Sequence, residues 1–253
     1  REYAARSAAL LATMTEVLAA GDPWAEDPGS MPIADVLDRA EQKFLVEAGS
    51  DPAFQVSVLL QLADVRNSFR AFDRAILLLE RAAAIADRNP LDAATMHRIL
   101  LARVEALGML GRLAEADALL AGSGLLVPVA EADADALAAN LLHLQIRKQQ
   151  GDRAPEREIL PALAARVGDL PEAPPKLRYD VATSFALFRM DQGQAGDAQQ
   201  SLDRAQAALD AIDRPYRLQV RLHFNRALVF AMAGQHAPAR AQYEQALALA
   251  EAD

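Results

Sequence analysis

The chain has 253 residues, of which 52% are apolar and 24% charged, and it contains no cysteine. That length allows one or two domains with a sizeable core, and the missing Cys excludes a disulfide scaffold, a Cys-ligated zinc site, a thiolate nucleophile and an iron–sulfur cluster. Lys plus Arg total 26 against 35 Asp plus Glu, a formal net charge of -9, which argues against a nucleic-acid partner because such binders carry a basic footprint.

More than fifty residues are alanine and only 5% are aromatic. Alanine is the best helix former, whereas aromatic and β-branched residues favour strands, so an all-helical chain is expected. No run reaches the roughly 18 consecutive apolar residues of a membrane helix. Residue 1 is Arg and no basic-then-apolar signal segment follows it, so the chain reads as part of a longer protein. Leu10, Leu11, Met14, Val17 and Leu18 have helical spacing. A loop follows, from Gly21-Asp22-Pro23 to Met31-Pro32, and then a second amphipathic helix with Val36, Leu37, Ala40 and Phe44 inward. Residues 1–48 are thus an irregular helical hairpin.

From residue 51 the punctuation becomes regular. Asp51-Pro52, Asn89-Pro90, Pro174-Pro175 and Pro215 each precede an apolar helical run. Asp or Asn supplies an N-cap oxygen there, and Pro is tolerated in a first turn. Short turns lie between these starts, at Arg70, Gly111, Gly151, Gly193 and Gly234, separated by 41, 40, 42 and 41 residues. A fixed period of this size is a repeat signature. The boundaries predict hairpins over residues 51–88, 91–123, 129–168, 174–212 and 215–253, in one domain with the N-terminal hairpin.

The repeats share content as well as length. Five residues after the turn stand Ala75, Ala116, Glu156, Ala198 and Ala239; nine after it stand Leu79, Leu120, Leu160, Leu202 and Tyr243. Twelve after it stand Ala82, Ser123, Leu163, Ala205 and Ala246, and seven before it Ala63, Val104, Leu144, Ala186 and Ala227. Small residues let two antiparallel helices approach closely, and a large residue one turn away fills the space between hairpins. The third unit departs from this order, since Glu156 and Leu163 replace small residues and Pro161 predicts an interrupted or bent second helix. The small–large order resembles the tetratricopeptide (TPR) pattern, best over Ala227, Phe230, Gly234, Ala239, Tyr243 and Ala246. The fold expected is therefore all-α, a right-handed superhelical solenoid of about six TPR-like hairpins.

The N-terminal order carries a second resemblance. Gly21-Asp22-Pro23, the acidic loop after it and Val36-Leu37-Asp38-Arg39-Ala40 are similar to the segment that follows the kinase domain in bacterial TPR-containing serine/threonine protein kinases. The resemblance implies a sensor or partner-binding region, beyond a membrane tether and on the periplasmic side. The kinase itself is not in this chain, which has no Gly-rich phosphate loop, no His-Arg-Asp and no Asp-Phe-Gly sequence.

Candidate chemistry is sparse. His97, His143, His223 and His236 form no paired metal motif, and structural or surface roles are expected for them. The acidic run from Glu131 to Asp135 lacks the Gly and terminal Glu of a calcium loop, and a helix first turn explains it better. Gly122-Ser123-Gly124 follows no strand and reads as a helix-ending turn. No catalytic residue, metal or cofactor is expected.

What remains is a surface. In a helical solenoid the first helices of successive hairpins line one face. Ten residues before the turns stand Leu60, Leu101, Leu141, Thr183 and Phe224. Six before stand Asp64, Glu105, Gln145, Leu187 and Leu228, and three before stand Asn67, Gly108, Lys148, Met190 and Ala231. These positions predict a groove with an acidic N-terminal and an apolar C-terminal part, fit for an amphipathic helix or an extended peptide. The rival reading is that long helices bury the same residues against their own neighbours. The function expected is a non-catalytic protein-, peptide- or ligand-binding sensor domain of such a kinase. The alternatives are a regulatory domain of a transcription activator or a general protein-interaction scaffold. An uncapped last helix, with Leu247 and Leu249, is compatible with a homodimer.

Overall fold

A computed structural model describes residues 38–39, 41–43, 51–213 and 215–251. The loop at Gly21-Asp22-Pro23, the first N-terminal helix and most of the Val36–Ala40 motif lie outside the described residues; Asp38 and Arg39 are helical. Among the described residues there are helices and turns and no strand. The chain forms two compact units, Arg1–Arg112 and Leu113–Asp253.

The first unit contains α1 (Pro52–Ser68), α2 (Phe72–Ala86) and α3 (Ala93–Met109). Asp51 starts α1 by accepting from the amides of Ala53 and Phe54 at 3.1 and 3.5 Å. Asn89 does not cap α3, as its place before Pro90 suggested. Its amide group donates to the Ile85 carbonyl at 2.7 Å and so closes α2. Asp92 caps α3 instead, holding the Thr95 amide at 2.8 Å and its hydroxyl at 2.7 Å. The Thr95 hydroxyl is the main cause holding the Asp92 carboxyl below its ordinary value. Helices α1 and α2 cross through Ala63, Ala75 and Ala82, all fully buried, with Leu59 and Leu79 beside them. Arg66 is buried on α1 and pairs with Asp38 and Glu41.

The second unit contains α4 (Leu113–Ala121), a 3-10 turn (Val129–Glu131), α5 (Ala134–Gln149), α6 (Ala154–Asp169), α7 (Pro175–Asp191), α8 (Ala195–Leu209), α9 (Tyr216–Met232) and α10 (His236–Glu251). Each helix packs on the next, and the first helices of the hairpins also touch, α5 on α7 and α7 on α9. Asp133, from the acidic run, caps α5 by accepting from the Ala136 amide at 2.9 Å. Leu137, Leu141, Leu160, Leu163 and Val181 form one core cluster. Tyr179, Ala186, Ala198, Leu202, Ala205 and Leu222 form a second.

The five turns share one backbone geometry. Arg70, Gly111, Gly151, Gly193 and Gly234 all have left-handed φ, between 58° and 87°. At each, the next amide donates back to the carbonyl five residues earlier: Ala71 to Arg66, Arg112 to Leu107, Asp152 to Arg147, Gln194 to Arg189 and Gln235 to Phe230, all at 2.9 Å. This is the Schellman arrangement, which satisfies carbonyls that a helix end leaves open and reverses the chain.

Two expectations need correction. Helix α6 runs unbroken through Pro161. The proline removes the hydrogen bond to the residue 157 carbonyl, and the helix continues on both sides of it. Tyr243 does not fill a core position as Leu79, Leu120, Leu160 and Leu202 do. It is 37% exposed, because α10 is the last helix among the described residues.

A left-handed conformation costs an L-residue roughly 1–2 kcal/mol, which Gly avoids at a smaller entropic cost. Arg70→Gly is therefore expected to stabilise the chain by about 0.5–1 kcal/mol. Chemical denaturation checks this; a loss of stability would contradict the turn geometry.

Candidate functional site

The first helices of three successive hairpins in the second unit, α5, α7 and α9, enclose a cleft of about 250 Å3 together with α6. Helical spacing puts Leu141 and Leu144 on one side of α5, and with Leu160 of α6 and Leu187 of α7 they make an apolar floor. Gln145, Lys148, Glu156, Asp180, Thr183, Ser184, Arg221 and Asn225 supply the polar lining.

Ion pairs stand at both ends of this lining. Glu156 stands five residues after its turn, the repeat position that holds Ala75, Ala116, Ala198 and Ala239 elsewhere in the sequence, and its side chain is 8% exposed. A buried carboxylate is costly unless paired. Lys148 Nζ and Arg153 Nη2 both reach it at 3.0 Å, and Arg153 also pairs with Asp191. Those two carboxylates hold the Arg153 guanidinium above its ordinary value. At the other end Arg221 pairs with Asp180, and its Nε donates to the Tyr179 hydroxyl at 3.3 Å. The guanidinium lies 4.8 Å over the Tyr179 ring, a cation–π contact. Burial opposes the Arg221 charge, but Asp180 and Tyr179 favour it, and its affinity for the proton is raised overall. Tyr179 is itself fixed, donating its hydroxyl proton to the Leu218 carbonyl at 2.7 Å.

Two polar side chains in the lining differ in use. The Thr183 hydroxyl donates to the Tyr179 carbonyl at 2.7 Å, so its proton is spent within α7. Asn225 is 6% exposed, and among the described residues its side chain has no hydrogen-bond partner. Its amide is reached from the cleft and is open to a hydrogen bond there.

Of the groove residues expected from sequence, Leu141, Gln145, Lys148, Thr183 and Leu187 come together in this cleft. Phe224 does not line it; 48% exposed, it meets Tyr243 edge-on with ring centres 5.6 Å apart. Leu228 is half-buried outside the cleft. Leu60, Asp64, Asn67, Leu101 and Glu105 belong to the first unit. There Leu60 is buried, Leu101 and Asn67 are half-buried, and Asp64 and Glu105 are exposed. The expected set lacks Leu144, Glu156, Leu160, Asp180, Ser184, Arg221 and Asn225. Asp180 and Arg221 stand thirteen residues before their turns, one helical turn beyond the row ten before, and Ser184 and Asn225 stand nine before, on the position next to that row.

The other candidates carry less. His143 Nδ1 lies 3.2 Å from Asp117, and His223 Nδ1 lies 2.9 Å from the Gln242 side-chain oxygen. Among the described residues no group of three or more His, Asp or Glu could hold a metal ion. A larger hollow of about 990 Å3 lies between the end of α6, the following loop, α7 and α8. Two of its polar groups are turned to the backbone: Arg178 donates to the carbonyls of Leu170, Pro171 and Ala173, and Ser201 to that of Asp197, while Asp169, Glu172 and Arg204 also line it. No helix among the described residues is long and apolar enough to cross a membrane.

No protein-family model matches the chain, and no curated protein matches it. Among solved structures, it is similar to BtubC (BKLC) from P. vanneervenii with a TM-score of 0.57 and 17% identity, over 86% of this chain and 89% of that one. MamA of MSR-1 also matches, with a TM-score of 0.41 and 17% identity, over 79% of this chain and 97% of that one. At this identity the likeness to BtubC bears on fold, and the fold is all-α with TPR-like helical repeats.

The Glu156 cluster makes an asymmetric prediction. Removing both cations, as in Lys148→Met with Arg153→Met, leaves a buried unpaired carboxylate and is expected to cost about 3–5 kcal/mol. Glu156→Ala frees two cations that reach water and is expected to cost about 1 kcal/mol or less. Equal losses in urea denaturation would show that the pairing does not hold Glu156 in place.

Proposed function

We propose that this chain is a non-catalytic protein-interaction scaffold, and that the face made by the first helices of its hairpins receives the partner. One observation carries the reading: α5, α7 and α9 present an open, apolar-floored cleft whose charged groups are engaged with one another. A nucleophile with an adjacent base and an oxyanion site would be the mark of an enzyme. Here Lys148, Glu156, Asp180 and Arg221 form structural ion pairs instead. The electrical balance of the cleft suits a partner segment of little net charge. The apolar floor suits an aliphatic anchor, the usual centre of a small interface.

The finer reading, a sensor region of a bacterial serine/threonine kinase on the periplasmic side, rests on the resemblance of residues 21–40 alone. The fold and the cleft support the scaffold reading equally well without a kinase. The exposed edge formed by Phe224, Tyr243 and Leu247 is the surface we assign to a homodimer.

Selection of a displayed random-peptide library on the purified chain tests the scaffold reading. The expected result is a family of peptides with an aliphatic anchor and low net charge, whose binding Leu187→Asp abolishes. Peptides that bind the Leu187→Asp chain as well as the parent would place the interaction elsewhere, and an empty selection would count against the scaffold.

A further inference from the structure

The cleft between α5, α7 and α9 has features that a passive groove does not need. Arg221 is locked on three sides, by the Asp180 carboxylate, the Tyr179 hydroxyl and the Tyr179 ring. These contacts engage Nε and Nη2 and leave the Nη1 donors over. A guanidinium fixed in this way is pre-organised to receive an anion in fork geometry. Asp180 takes Arg221 on Oδ1 and Lys176 on Oδ2 at 2.8 Å. A carboxylate has about four lone-pair directions, so it can still accept a further ammonium. The opposite charges of one ion pair therefore lie side by side at the rim.

Next along α9, one turn inward, Asn225 is buried and lacks a hydrogen-bond partner. Beyond it the floor is aliphatic, formed by Leu141, Leu144, Leu160 and Leu187. The enclosed space is about 250 Å3, enough for one amino-acid-sized molecule and less than the usual range for larger ligands.

We infer that this cleft is a binding site for a small zwitterion with an aliphatic body, a free aliphatic α-amino acid. The carboxylate takes the free Nη1 donors of Arg221 and the Nδ2 donor of Asn225. The ammonium, on the same carbon, lies against Asp180. The side chain enters the leucine floor. Each charge of the ligand meets an opposite charge of the Lys176, Asp180 and Arg221 cluster, so neither charge of the ligand is left alone. A peptide C-terminus would bring the carboxylate without the ammonium, and Asp180 would gain nothing from it. The site does not depend on any protein partner, and it can be tested on the chain alone.

Calorimetric titration of the full chain with L-leucine tests the inference, with leucinamide, N-acetyl-leucine and the tripeptide Gly-Gly-Leu as comparisons. One saturable site for L-leucine is expected. Leucinamide lacks the carboxylate and N-acetyl-leucine the ammonium, and each is expected to bind at least about tenfold more weakly, as the loss of a charge-assisted hydrogen bond requires. Arg221→Gln and Asn225→Leu should each weaken L-leucine by a similar factor. Arg240→Gln on the far surface of α10 should leave it unchanged. Circular dichroism melting identifies a variant that fails to fold, and Arg221→Gln, at a half-exposed side chain, keeps the test open if Asn225→Leu does. Absence of L-leucine binding at millimolar concentration overturns the inference. So does equal binding of Gly-Gly-Leu, which would assign the cleft to peptide termini. A result against leucine leaves the peptide-selection result standing, and the reverse holds as well.

Discussion

The close crossing of two antiparallel helices through small residues is the constraint on which the rest of the structure depends. Ala63 and Ala75 in the first hairpin, Ala186 and Ala198 in α7 and α8, and Ala227 and Ala239 in α9 and α10 are all buried where paired helices pack. Dispersion falls steeply with separation, so an Ala pair lets many backbone and side-chain atoms meet at contact distance. The left-handed turn residue fixes which face of the second helix returns to the first. The turn and the crossing are thus one device, and its spacing of about 41 residues sets where every later side chain points.

The functional cleft follows from that device by exception. Ala75, Ala198 and Ala239 stand at the crossings of their hairpins, and the same repeat position in the α5–α6 hairpin carries Glu156. A carboxylate there must be paired, so Lys148 is drawn from the first helix and Arg153 from the turn. The next hairpin closes the far side with the Tyr179, Asp180 and Arg221 cluster, built on a hydroxyl that reaches across to the Leu218 carbonyl. A local departure from the repeat therefore becomes a polar-rimmed, apolar-floored site.

Much of this was legible in the sequence. The five turn positions, the buried small residues and the all-helical, TPR-like class follow from period and residue size, which are local properties of the chain. Five cleft residues, Leu141, Gln145, Lys148, Thr183 and Leu187, follow from the same register. The missing members have a different cause. Glu156 shows in sequence only as a departure from the small residue of its repeat position, because sequence reveals neither its burial nor its pairing with Lys148 of α5 and Arg153 of the turn. Arg221 and Asp180 lie 41 residues apart, and only stacking of α7 on α9 brings them together. Asn89 shows the same limit at short range, since an Asn before Pro can close the helix behind it or open the one ahead. Pro161 reads as a break because proline removes one helical hydrogen bond and its ring crowds the carbonyl four residues back, yet the neighbouring turns carry α6 through it.

The crossing itself is open to one direct measurement. Ala198 is fully buried at the crossing of α7 and α8, and Ala198→Leu forces an isobutyl group into that contact. Thermal and urea unfolding of this variant beside the parent should show a loss of about 1–3 kcal/mol, the cost of overpacking a close-fitted core. An unchanged unfolding curve would mean that the helices do not meet there, and would contradict the register on which the hairpins and the cleft both rest.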